Sequence, residues 1–262
     1  FAFVESAGLL SDLVADNKLV PFSDVDPDIL ADAAPGAVRV LEHPRLPLVT
    51  YPYEWPFPAL KAAALLQLDV QLLSLERGVN LSDATAYNIQ FQGPNPIFID
   101  HLSFRPYKEG EYWAAHSQFC EQFLNPLLLR SIRGIPHNAW YRGRMDGIAV
   151  ADLNSLLPLR SKFSLNVLQH VVLQARFQKS SSTGKAASTA ATRQLPLSAL
   201  KQMLQSMRNW IEKLRPADTG ETVWQNYANQ HSYRDDEVKQ KEAFIADFVT
   251  SNTPSMVWAI GC

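Results

Sequence analysis

Apolar residues recur at helical spacing in several stretches of the chain, and the clearest follows Tyr53-Glu54-Trp55-Pro56-Phe57-Pro58. Leu60, Ala64, Leu68, Leu72 and Leu75 fall on one face, prolines stand at the start, and Gly78 stands at the C-terminal cap position. That pattern predicts a helix over residues 58–77 behind a stiff connector. Leu9, Leu10, Leu13 and Val14 predict a helix within 6–16. Residues 18–22, with Pro21, read as an edge strand, residues 24–36 as a turn plus a short helix, and 37–41 and 46–51 as strands joined at His43-Pro44-Arg45. Residues 97–99 (Ile-Phe-Ile) make a short strand ending on Asp100, after a turn at Gly93-Pro94-Asn95-Pro96. Residues 112–133 read as helical with a break at Pro126, and residues 150–177 as a further helical stretch. Residues 179–194 are small and polar and predict a flexible linker. Leu200 to Leu214 mark an amphipathic helix. Asp235 to Val249 mark another, its acidic start suited to a helix N-terminus, with Ala243, Phe244, Ala246, Phe248 and Val249 as its buried side.

Composition narrows the class. Of 262 residues, 47% are hydrophobic and 19% charged, the profile of a folded protein. Twenty-four basic residues against 26 acidic ones leave a net charge of −2, without the basic excess that phosphate contacts to nucleic acid require. The expected partner is therefore a small molecule, a sugar or a protein. No apolar run reaches the 18 residues of a membrane span, so no membrane partner is expected. Two cysteines, Cys120 and Cys262, build no disulfide framework and fit a reducing, cytoplasmic compartment. Cys120, beside Phe119 and Phe123, reads as a buried structural thiol. The six histidines offer no spacing that reads as a zinc site. Trp55 reads as core packing or as the wall of a ligand pocket. The chain opens on Phe1 and closes on Gly261-Cys262, and we expect a fragment cut at both ends.

The most informative segment is LSDATAYNIQF followed by IFIDHLSF. Asp83 precedes Asn88 by five positions, and Asp100 ends a short apolar strand. This resembles the protein-kinase arrangement, H-R-D-x-x-x-x-N and then the Asp of D-F-G, preceded by a long helix. The resemblance implies Asp83 as the catalytic carboxylate and Asn88 and Asp100 as Mg²⁺ ligands for transfer from ATP. The departures are specific: Leu81-Ser82 replaces His-Arg, Asp100-His101-Leu102 replaces Asp-Phe-Gly, no Gly-rich loop precedes, and Lys18 is the only lysine before the connector. Three readings stand: an active phosphotransferase, a kinase-like fold with a vestigial or repurposed site, or loop bracing by Asp and Asn alone.

Met256-Val257-Trp258-Ala259-Ile260-Gly261-Cys262 is an apolar run ending in a glycine, like the first strand and turn of a class I S-adenosylmethionine (SAM) methyltransferase. Ala259 stands where such domains commonly carry an acid. Together with Tyr53-Glu54-Trp55-Pro56, the 51–128 segment, and Trp224-Gln225-Asn226-Tyr227, the chain resembles a bacterial family of SAM-dependent methyltransferases that includes proteins similar to rhizobial host-specific nodulation proteins. With the apolar spacing and the low-complexity stretch, the two resemblances imply a helix-rich α+β chain: a kinase-like domain with a reduced N-lobe over 1–178, the 179–194 linker, a helical connector over 195–254, and at 255–262 the opening of a truncated SAM domain. Gly261 would be a partial SAM-binding residue, and SAM the cofactor of the full-length protein. The chain itself would be an accessory, substrate-recognition region, with no methyl transfer of its own.

Overall fold

Helix α3, Phe57–Glu76, is the post around which the larger part of the molecule is built. Pro56 is its extended N-cap and Pro58 sits in the first turn, where no N–H is needed. Gly78 ends it with φ of +69°, a conformation that only glycine adopts at little cost. The computed structural model describes residues 1–30, 32–175, 194–218 and 232–256. They fall into two compact units, 1–218 and 219–262.

In the first unit the chain runs through α1 (Ala2–Ser6), α2 (Leu9–Ala15), β1 (Ser23–Val25), β2 (Val40–Glu42), α3, β3 (Val79–Leu81), β4 (Ile89–Gln92), β5 (Asn95–Phe98) and β6 (Phe104–Pro106). The helices α4 (His116–Phe119), α5 (Asn125–Arg133), α6 (Asn138–Gly143), α7 (Val150–Leu156), α8 (Leu165–Val167) and α9 (Leu197–Lys213) follow. The strands form three antiparallel pairs, β1 with β2, β3 with β6 and β4 with β5. Helix α3 is apolar on most of its circumference because α9, β3, β5 and α5 all pack on it. Leu60, Ala63, Ala64, Leu68 and Val70 of α3 are fully buried, as are Leu200, Leu204, Met207 and Ile211 of α9. Burying such side chains is the main stabilising term of the unit.

Several expectations are corrected. The helix expected within 6–16 forms as α2 but begins only at Leu9, because Gly8 before it has a φ of +74° and sets it off from α1. The strand over 18–22 reduces to one bridge, Leu19 to Phe98, flanked by Val20 N–H to Phe98 O at 2.9 Å and Phe98 N–H to Lys18 O at 2.9 Å. No strand forms over 46–51. Pro44 and Pro47 offer no N–H there, and Thr50 pairs its backbone with a side chain instead. Pro158 interrupts the 150–177 stretch, which continues as a 3₁₀ turn, α8 and a π turn at Leu168–Val172.

Pro126 does not break the 112–133 helix. The chain passes from α4 through a π turn, Cys120–Leu124, into α5. Pro126 has no N–H for the carbonyls one turn back, and outside groups take them. Ile148 N–H donates to Glu121 O at 2.9 Å, and Tyr141 O–H donates to Gln122 O at 3.0 Å.

The second unit contains α10, Asp235–Asn252. Arg234 N–H donates to Glu237 Oε2 at 2.8 Å, a capping-box bond, and three acidic residues occupy the first turn. The expected buried side is corrected. Val249 is half-buried, while Ala243, Phe244, Ala246 and Phe248 are exposed, because the described residues of this unit supply no second layer. The expected linker lies, but for Gln194, outside the described residues, as do residues 257–262 with Gly261. Among the described residues, no helix is long and apolar enough to cross a membrane.

Candidate functional site

The loop between β3 and β4 begins with Ser82 pinned to the strand beyond it, its N–H donating to Ser103 O at 2.8 Å. Asp83 then accepts the Thr85 N–H on Oδ1 at 3.1 Å, an Asx turn that aims its other oxygen inward. Thr85 caps the short 3₁₀ turn Ala86–Asn88. Asn88 ends that turn just before β4, and its carbonyl accepts the Ile99 N–H at 2.9 Å across the hairpin. Asp100 follows immediately and accepts the Leu102 N–H on Oδ1 at 2.8 Å. The β4–β5 hairpin therefore returns Asp100 to the level of Asn88.

The three sequence-predicted residues converge. Asn88 Nδ2 donates to Asp100 Oδ2 at 3.0 Å, and lies 3.5 Å from Asp83 Oδ2 and 3.4 Å from Ser103 Oγ. Ser103 Oγ also donates to Asp100 Oδ2. All but Ser103, which is buried, are half-buried. Carboxylate and amide oxygens are the donor chemistry that Mg²⁺ takes. Here the nitrogen end of the Asn88 amide, not its oxygen, faces both carboxylates. Among the described residues no group of three or more His, Cys, Asp or Glu side chains is arranged to hold a metal.

The loop is clamped by glutamines that the sequence reading passed over. Gln122 Oε1 accepts the Thr85 O–H at 2.9 Å and the Ala86 N–H at 2.8 Å, and Gln118 Oε1 accepts the Ala84 N–H at 2.8 Å. Gln67 Nε2 of α3 donates to Asp83 O at 3.5 Å. Gln71 bridges Asn80 and the Leu81 N–H at 2.8 and 3.0 Å. The signal was present: Gln67 and Gln71, and Gln118 and Gln122, are pairs at helical spacing of four.

Beside the connector, Gln90 of β4 meets Thr50. The Thr50 N–H donates to Gln90 Oε1 at 2.9 Å, and Gln90 Nε2 donates to Thr50 O at 3.0 Å. Trp55 packs in the core and also lines a cavity. It is 3% exposed, packs edge-on against Phe91 and donates Nε1–H to Thr50 Oγ1 at 2.9 Å. It also lines an apolar cavity of about 530 Å³ with Phe91, Leu48, Pro56 and Pro94. Lys18 is spent elsewhere: its Nζ pairs with Asp16 at 2.6 Å.

Four histidines are held neutral by burial. Burial pushes His101 to about 4, helped by His43, whose ring lies 4.8 Å away between centroids. His116, with His170 beside it, His137, with Arg130 beside it, and His170 are likewise pushed to about 4. Cys120 is fully buried, 3.8 Å from His116 Nε2, and burial raises its thiol pKa well above the ordinary value. A thiol so held is packing and not a nucleophile.

The chain is 43% identical over 262 residues to "Nodulation protein NoeA" of Rhizobium meliloti (strain 1021), an alignment that covers 99% of this chain and 55% of that protein. The chain spans about half the length of the curated relative it matches. No family model matches the chain, and no solved structure matches it.

Proposed function

From its likeness, over nearly its whole length, to about half of a rhizobial nodulation protein, we propose that this chain is the accessory, substrate-recognition region of a longer protein of the SAM-dependent methyltransferase kind. The relative's greater length supports the existence of a further part. The glycine-terminated run ending at Gly261 supports the SAM assignment for that part.

One observation carries the reading of recognition rather than chemistry. The Asn88 amide donates to Asp100 and reaches toward Asp83, so the acidic cluster is satisfied from within. The backbone N–H and carbonyl of Thr50 before the connector are likewise taken up by Gln90. Lys18, paired with Asp16, is not offered to a phosphate. The cavity beside Trp55 and Phe91, of a size that suits a small ligand, is the recognition pocket in this reading. Calorimetry with SAM on this chain gives no binding; micromolar affinity overturns the reading.

A second reading is favoured by a different observation. Helix, strand, loop with Asp83 and Asn88, hairpin, Asp100 and a strand returning to the first is the order of a protein-kinase C-lobe, and the three side chains meet. In that reading the chain is a phosphotransferase: Asp83 orients an acceptor hydroxyl, and Asp100 and a turned Asn88 amide hold Mg²⁺ with ATP. Thermal stabilisation by millimolar Mg-ATP that is lost in Asp100→Ala would establish it, and its absence removes it.

A further inference from the structure

Leu159, Phe163 and Leu165 stand out from one short turn, 77%, 86% and 81% exposed. The turn is pinned on either side by Leu157 and Val167, which are buried. It is also folded. Ser161 donates its N–H and its O–H to Pro158 O at 3.0 and 2.7 Å, Ser164 N–H donates to Ser161 O at 3.2 Å, and Leu168 N–H to Ser164 O at 2.8 Å. These bonds make the 3₁₀ helix Leu159–Phe163 that leads into α8. The backbone thus holds three large apolar side chains outward, where water contact is unfavourable.

Charge accompanies them. Arg160 and Lys162 alternate with the apolar tips, and neither has an acidic partner among the described residues. Between Asp152 and Glu212 the sequence holds eight Lys and Arg and no Asp or Glu. The net charge of −2 for the whole chain conceals this segregation. Of the eight, Lys201 and Arg208 are already paired with Glu76 and Asp69. Arg160 and Lys162 are not.

We propose that the 159–165 turn is a peripheral anchor for an anionic phospholipid surface. Leu159, Phe163 and Leu165 enter the headgroup–acyl boundary, and Arg160 and Lys162 meet the lipid phosphates. Exposed apolar side chains on a short turn need no complementary pocket at a bilayer interface, which receives them without one. Interleaved cations draw the turn to a negative leaflet, and the contact weakens with salt. The anchor is independent of the acidic cluster and of the recognition reading.

Vesicle flotation of the 262-residue chain tests it, with phosphatidylcholine alone and with equimolar phosphatidylcholine and phosphatidylglycerol. The chain floats with the anionic vesicles, not with the neutral ones, and is released by high salt. Phe163→Ser combined with Leu165→Ser weakens binding by about tenfold or more, and so does Arg160→Gln with Lys162→Gln. Thermal melts of both variants match the parent, since all four side chains lie outside the buried core. No flotation of the parent, equal flotation with neutral vesicles, or undiminished binding by the apolar double variant overturns the proposal. A charge-only attraction is the last of these outcomes; an acidic protein partner is the first.

Discussion

The side-chain nitrogen of Asn88 lies 3.0 Å from Oδ2 of Asp100, on the carboxylate that a divalent cation would have to reach. An amide in that place does the work of a counter-charge without carrying one. Asn88→Asp removes the donor and sets a third carboxyl group beside Asp83 and Asp100. The variant melts below the parent at pH 7, by about 1–3 kcal/mol of stability. The gap narrows on adding millimolar Mg²⁺, which takes carboxylate oxygens. Thermal melts with and without Mg²⁺ check it.

Gln122 clamps the loop at two points. Its Oε1 serves the Thr85 hydroxyl and the Ala86 N–H together. Gln122→Leu fits the space and orphans the buried Ala86 donor, so a loss of about 2–4 kcal/mol is expected by chemical denaturation. A loss under about 0.5 kcal/mol would show that the loop is braced by other contacts.

Gly147 lies against the freed carbonyl of the π turn. A Cβ there would clash with the backbone oxygen of Glu121, and φ is +83°. Gly147→Ala therefore costs about 3 kcal/mol or more. Gly93→Ala, with φ of +60° and open space around it, costs about 1 kcal/mol. Denaturation midpoints of the two variants give the contrast.

Acid destabilises the fold through its histidines. His116, His137 and His170 have folded pKa values near 4, below the ordinary 6.5. The unfolded chain binds the extra protons, so this contribution is complete above pH 6.5 and lost as the pH falls toward 4. Each histidine accounts for roughly 2 kcal/mol between pH 7 and 5. Melting temperatures across that window fall steeply, and less steeply in His137→Met. A flat profile would contradict the burial of these rings.

The long helices were legible in the sequence because their apolar spacing is a local property, as Leu60 to Leu75 and Leu200 to Ile211 illustrate. So was the acidic cluster, since Asp83, Asn88 and Asp100 lie close together in sequence and one hairpin joins them. The reading of Leu46 to Tyr51 failed for a non-local reason. Its apolar residues are strand-like, but Thr50 finds its partner in a side chain forty residues away. The reading of Pro126 failed similarly. A missing N–H breaks a helix only when nothing else accepts the burden, and Tyr141 and Ile148 lie 15 and 22 positions downstream. The apolar face assigned to 235–249 has the right periodicity, but periodicity does not say whether a partner layer exists among the described residues.

The widened turn before Pro126 has a consequence for exchange with solvent. Ile148 belongs to no helix or strand, yet its amide closes on Glu121 O and its carbonyl accepts the Asn125 Nδ2–H at 2.8 Å. Its hydrogen is thereby tied to the opening of the helix rather than of its own segment. In deuterated water that single coil amide should outlast its chain neighbours and be replaced only as slowly as the amides of α5.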